Sequence, residues 1–210
     1  RLTKVTGVQT CALPISPLAT EAPRPVLPAV TDPVTGLERQ ALAVMVQLPL
    51  MAGAAGADSI EAAAFANPVH RAVFEAVQAA GGAARALDEV RALAVDGRGR
   101  EEVERAALAR WVEQVRLGAG PEVDAALTAL AVVELPVAGR RGAGEGLDAD
   151  SAERYARDVI TSLARMGVNR RLTELRGRQR RMSPQDEGYR EVFEEIVGLE
   201  NKRMQLSMRS

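Results

Sequence analysis

Residues 150–182 contain no proline and only two glycines, Gly167 and Gly177. Along them Tyr155, Val159, Leu163, Met166, Val168, Leu172, Leu175 and Met182 recur at the spacing of one helical face. That pattern specifies a long amphipathic helix, and its apolar stripe has to be covered. Ser183-Pro184 follow, a cap residue and a first-turn proline, with Asp186 and Glu187 just behind them. A second stripe then runs through Tyr189, Val192, Phe193, Ile196, Val197, Leu199, Met204 and Leu206. Two long amphipathic helices with a very short join predict an antiparallel helical hairpin over 150–210. A hairpin has little core of its own, so this one must dock on the preceding residues or on a partner.

The preceding residues predict shorter helices. Leu37 to Gln47 carries apolar residues at 37, 41, 42, 44 and 45, and Pro49 ends the run. Asp58-Ser59-Ile60-Glu61 has the capping-box pattern and predicts a short helix to Phe65. Asn67-Pro68 opens a helix with the stripe Val69, Ala72, Val73, Ala76 and Val77, stopped by Gly81-Gly82. A weaker helix spans Ala84 to Val95 and closes at Asp96-Gly97. A stronger one spans Glu101 to Leu117, and a further one runs from Pro121 to Ala131. Val132 to Pro136 reads as an extended exit. The chain therefore divides into a Pro-rich linker (17–36), a helical bundle (37–136), a Gly-rich hinge (137–149) and the hairpin (150–210). Aromatic residues are only 3% of the 210, and Ala, Leu, Val and Arg abound. That balance favours closely packed helices over sheets. The predicted fold class is all-α: a small helical bundle followed by a long antiparallel helical hairpin.

The first sixteen residues stand apart. Val5-Thr6-Gly7-Val8-Gln9-Thr10-Cys11-Ala12-Leu13-Pro14-Ile15 has neither helical nor strand period. It back-translates into a string that resembles the read-through of a common short-read sequencing adapter. A signal peptide fits poorly, because the apolar stretch is short and polar and lacks a clear cleavage site. Residues 1–16 are therefore expected to be an artefact, the true N-terminus to be missing, and the chain to be a fragment.

Little in the sequence suggests catalysis. One His and one Cys cannot build a His/Cys zinc site, and one Cys cannot form an internal disulfide. No apolar run reaches the roughly 18–20 residues of a membrane span. No Gly-rich loop is followed by the Lys and Ser/Thr that cradle phosphates. His70 sits beside an apolar stripe and reads as a structural, partly buried side chain. Glu101, Glu102 and Glu104 suit the positive end of a helix dipole. Trp111 reads as a packing anchor. No catalytic, cofactor-binding or metal-binding residue is assigned.

Charge is unevenly shared. Residues 37–135 hold 9 basic and 14 acidic residues, and residues 151–210 hold 13 basic and 9 acidic. Arg170, Arg171, Arg176, Arg178, Arg180 and Arg181 crowd the end of the first hairpin helix. Asp186, Glu187, Glu191, Glu194 and Glu195 open the second. Antiparallel pairing sets the groups side by side, so charge complementarity inside the hairpin and a partner-docking patch both remain open. Single-strand binding wants aromatic platforms, and the basic helix has only Tyr155, far from the cluster. A docking patch is expected at the hairpin tip, at Arg178, Arg181, Tyr189, Arg190, Phe193 and Ile196.

Leu37-Glu38-Arg39-Gln40-Ala41-Leu42 resembles the opening helix of the C-terminal domain of bacterial DNA primase. Phe65-x-x-Pro68-x-x-Arg71-x-Val73-Phe74 is similar to a segment of that family. Tyr155-x-x-x-Val159, Arg170-Arg171-Leu172-x-x-Leu175 and Tyr189-x-x-x-Phe193-x-x-Ile196 resemble its terminal hairpin. The Ala/Arg/Val bias suits an actinobacterial version. The resemblance covers roughly 37–210 and implies a cytoplasmic, non-catalytic helicase-binding domain. Such a domain docks on the N-terminal domains of the hexameric replicative helicase and couples primer synthesis to unwinding. The resemblance also implies that the zinc-binding module and metal-dependent polymerase core lie upstream, outside this chain. No cofactor, small-molecule ligand, membrane or nucleic-acid contact is implied for this part. The competing expectation is an unrelated helical adaptor or oligomerisation domain.

Overall fold

In the computed structural model, residues 27–93, 99–136 and 149–208 are described. The expected adapter leader, the first half of the Pro-rich linker (17–26), Asp96-Gly97 and most of the Gly-rich hinge lie outside them. Among the described residues there are eight α-helices, two short 3-10 turns and no strand.

The first helix, α1 (Pro33–Gln47), begins one turn before Leu37. Asp32 explains the early start: its carboxylate accepts the Thr35 amide at 2.9 Å, and Pro33 fills the first helical position. Ala41, Leu42, Ala43, Val44 and Met45 are all within 2% of full burial, so α1 is enclosed on several sides. Around it pack α2 (Pro49–Ala54), α3 (Pro68–Ala79), α6 (Pro121–Ala131) and α7 (Ala149–Gln179). Helix α4 (Gly82–Leu93) pairs with α5 (Arg100–Leu117) on one side of that core. Trp111 of α5 is an anchor as expected: it is buried, and its Nε1 donates to the Gly82 carbonyl at 2.9 Å.

The capping box at Asp58 does not form. Residues Ala57–Ser59 and Ala62–Ala64 are 3-10 turns, and Asp58 caps a different helix. Its two carboxylate oxygens accept the amides of Ala83 (2.8 Å) and Ala84 (2.9 Å), the open N-terminus of α4. Gly82 stands at φ +65, and a Cβ there would run into that carboxylate. A distant helix end with unpaired donors competes better for Asp58 than its own local turn.

His70 and Glu38 form a buried pair. His70 Nδ1 lies 3.0 Å from Glu38 Oε2, with both side chains at most 1% exposed. Glu38 also accepts the amides of Ala66 (2.5 Å) and Asn67 (3.2 Å). Asn67 in turn caps α3 through the amides of Val69 and His70. One carboxylate thus ties α1 to the entry of α3.

Helix α7 belongs to two cores. Ala156, Val159, Ile160 and Leu163 complete the bundle core, while Val168, Leu172 and Leu175 form a separate cluster with Val192 and Ile196. The latter two lie on α8 (Tyr189–Ser207). Helix α8 starts later than Ser183-Pro184 suggests. Asp186 accepts the Ser183 amide at 2.8 Å and donates its own amide back to the Ser183 carbonyl at 2.9 Å. That closes a turn which Gly188, at φ +84, leads into α8.

Gly167 marks the closest approach of α7 to the bundle. A Cβ there would lie 2.6 Å from Ala64 Cβ and 3.0 Å from Ala64 Cα. Helix propensity favours Gly167→Ala by about 1 kcal/mol. The contact predicts the opposite sign, a loss of about 1–3 kcal/mol from overpacking. Chemical denaturation decides between them, with Gly198→Ala, where a Cβ meets nothing within 4 Å, as the stabilising control. Replacing Glu38 by Ala should cost about 3 kcal/mol, because two amides and His70 lose a buried partner. The same denaturation series measures it.

Candidate protein-docking surface

Helix α8 is apolar over a wider arc than one partner helix can cover. Val192 and Ile196 turn toward α7 and are 3% and 9% exposed. Phe193 (51%), Val197 (44%), Met204 (53%) and Met208 (75%) turn away. At 3.6 residues per turn these four fall within an arc of about 60° and along about 22 Å of helix. They form a second stripe that nothing in the described residues covers. Leu199 and Leu206 pack against the hairpin core with Val192 and Ile196. By periodicity alone the two stripes read as one. The signal that separates them is the pairing of neighbours, 192 with 193 and 196 with 197, which sets apolar side chains on two adjoining faces.

The six arginines in the second half of α7 and just beyond it divide three ways. Arg170 turns to the bundle, donating to the carbonyls of Ala63 (3.3 Å) and Ala64 (2.8 Å). Arg171 crosses to α8, where Nε and Nη2 both reach Glu195 Oε1 at 2.8 Å. The Glu195 hydrogen bond holds the Arg171 guanidinium above its ordinary pKa. Arg176 pairs with Glu200. Arg178, Arg180 and Arg181 make no ion pair within 4 Å among the described residues. Charge complementarity therefore holds in the middle of the hairpin and stops before its tip.

The six expected docking residues are not equivalent. Arg178 is exposed in the last turn of α7 and Arg181 just beyond it, and a Cβ at Gly188 would lie 3.9 Å from Arg178 Nη2. Arg190 is exposed and paired with Glu194 one turn on, at 2.8 Å. Tyr189 is half-buried, Phe193 is exposed, and Ile196 packs inside the hairpin. The tip thus brings together Arg178, Tyr189 and Arg190, with Phe193 one turn further along α8. Val197, Met204 and Met208 extend the exposed face well beyond the tip.

The other concave features offer less chemistry. A cavity of 370 Å³ lies beneath Leu48, Leu50, Met51, Val90 and Leu108. Its polar lining is a glutamine, two glutamates and an arginine: Gln47, Glu101, Glu104 and Arg105. Among the described residues no three His, Cys, Asp or Glu side chains gather as metal ligands. No described helix is long and apolar enough to cross a membrane.

A family model described as DNA primase DnaG DnaB-binding matches residues 38–191. The chain is 28% identical over 177 residues to a DNA primase of Mycobacterium leprae, covering 83% of this chain and 23% of that protein. It is 28% identical over 205 residues to a DNA primase of Mycolicibacterium smegmatis, covering 95% and 26%. The chain spans about a quarter of the length of these relatives. The helicase binding domain of primase from Mycobacterium tuberculosis matches it with a TM-score of 0.53 and 25% identity, over 83% of this chain and 91% of that domain.

The two faces of α8 should separate cleanly in stability. Ile196→Ala empties part of the small hairpin core and should cost about 2–4 kcal/mol. Phe193→Ala, at an exposed position, should stay within about 0.5 kcal/mol of the parent. Thermal unfolding followed by circular dichroism measures both, and equal losses would mean that Phe193 is a core residue.

Proposed function

The chain belongs to the DNA primase DnaG DnaB-binding family, and on that premise we propose that it binds the replicative DNA helicase through the hairpin. It acts by binding and not by catalysis, and in a longer primase it couples primer synthesis to unwinding. The observation that carries the reading is the exposed apolar face of α8: four large side chains in line on a helix whose other face is already filled. Stripes of this kind are docking surfaces, and a ring with charged neighbours at the edge of one is a usual hot spot.

The contact is made by Phe193, Val197, Met204 and Met208. Arg178, Arg181 and Arg190 sit at the tip as charged rim, and Tyr189 lies beside them. Ile196 contributes by holding α8 on α7. The surface engaged is the N-terminal domain of the hexameric helicase. This part of the primase works in the cytoplasm and makes no nucleic-acid contact, a reading supported by the pairing of its mid-hairpin arginines with glutamates.

Calorimetric binding to the N-terminal domain of the cognate helicase tests the proposal. Phe193→Ala should weaken binding by about 2 kcal/mol, or roughly thirtyfold. Charge reversal at Arg178 or Arg181, on the rim, should change affinity less and mainly alter the salt dependence. Unchanged affinity in a Phe193→Ala, Met204→Ala double variant that keeps its helicity would overturn the assignment.

A further inference from the structure

The docking face reaches the bundle through one continuous helix. Helix α7 is held by the bundle core through Leu163, with Ala164 and Met166 at that core's edge, and by the hairpin core from Val168 onward. Where the two cores meet, three further contacts brace the hairpin, and all three land on the same short segment, residues 61–64. Gly167 seats its backbone against Ala64. Arg170 spans from Nη1 to the Ala63 carbonyl and from Nη2 to the Ala64 carbonyl, at 3.3 and 2.8 Å. From the other hairpin helix, Lys202 Nζ lies 3.4 Å from Glu61 Oε1.

The receiving segment is suited to the task. Ala62–Ala64 is a 3-10 turn whose last carbonyls lack a helical continuation, so a fork of guanidinium donors satisfies them. Two residues on, Glu38 fixes the amides of Ala66 and Asn67 to α1. The brace therefore bears on the rigid part of the bundle. It is also incomplete: a groove of 40 Å³ remains between Ile60, Ala64, Val168 and Leu199. The junction is held by polar contacts at its edge and by one glycine, and a sealed core does not extend across it.

We infer that Arg170 and Lys202 are positioning residues that lock the hairpin at one angle to the bundle, so that the outer face of α8 meets its protein partner already oriented. The inference rests on the docking reading for its consequence, though the lock itself does not. Holding a binding element in its bound arrangement lowers the ordering cost of association and speeds productive encounter. Arg170 carries more of the lock than Lys202, because an exposed ion pair contributes little on its own.

Pulsed electron resonance on the full chain tests the lock, with Cys11→Ser and spin labels at Glu122→Cys on the bundle and Glu187→Cys at the tip. The otherwise unaltered labelled chain should give one narrow distance distribution. Arg170→Ala should widen it at least about twofold, with helicity kept and a modest fall in melting temperature from the two carbonyls left without their donor. Arg170→Lys, a point donor in place of a fork, should fall between. Lys202→Glu should widen it less, and adding Glu61→Lys to that variant should narrow it again. Binding of the helicase N-terminal domain to Arg170→Ala should be about tenfold weaker, mostly through slower association. A broad distribution in the labelled chain before any of these changes, or a narrow one in Arg170→Ala, overturns the lock. If that chain does not bind the helicase domain at all, the docking reading fails while the distances still decide the lock.

Discussion

A helix shared between two cores is the constraint on which the other features depend. The first turns of α7 complete the bundle around α1, and its last turns make half of the hairpin. Neither core is closed without it. The bundle loses Ile160 and Leu163, among its most deeply buried residues, if α7 leaves. The hairpin loses Val168, Leu172 and Leu175, which is more than half of its small buried cluster. Long helices hold their shape by tertiary packing more than by intrinsic propensity. Helix α7 receives that packing twice, from opposite ends, and Gly167 stands near the handover. The missing side chain lets the helix come close to Ala64, so both cores can use the same rod.

The bundle end of this arrangement is organised by an internal acid. Glu38 has no solvent exposure, yet every partner it takes is a donor: two amides before α3 and the His70 ring. A buried carboxylate is costly unless its lone pairs are filled, and three donors fill them here. The loop between the 3-10 turns and α3 is thereby fixed to α1, the most enclosed helix. That loop continues the segment against which α7 is braced. Burial at the centre and orientation at the periphery are linked through a few backbone bonds.

The sequence revealed helices more readily than the tertiary uses of single polar residues. Asn67-Pro68 and Pro121 start helices where local chemistry indicates, because a cap and a first-turn proline act over two or three residues. Asp58 and Ser183 obey the same local pattern and do something else. Asp58 finds the open amides of Ala83 and Ala84, some 25 residues away, which no local pattern encodes. Ser183 yields to the Asp186 turn and to Gly188, whose left-handed backbone sets where α8 begins. The exposed apolar face of α8 was half legible. Helical periodicity identified an apolar α8, but the division between Ile196 inside and Phe193 outside depends on the rotation of α8 about its axis. That rotation is set by the packing of Val192, Ile196 and Leu199 on α7. The arginine cluster was likewise visible as a cluster, while the turning of Arg170 toward the bundle required knowing where Ala63 and Ala64 lie.

An exposed apolar stripe on a small helical domain would ordinarily invite self-association. Here its flanks are charged and already engaged. Arg190 pairs with Glu194 on one side, Arg176 with Glu200 on the other, and Arg203 also reaches Glu200. Those pairs contribute little stability, as exposed ion pairs generally do. Their effect is to border the stripe with hydrated groups that a second copy would have to displace without compensation. Two of the four exposed side chains are methionines, which fill irregular gaps because they are unbranched and polarizable. A stripe with one rigid ring, one branched side chain and two adaptable ones can fit a foreign surface closely at one point and loosely along the rest. The rigidity such a surface lacks in its side chains is supplied by the way α7 and its brace hold the helix that presents them.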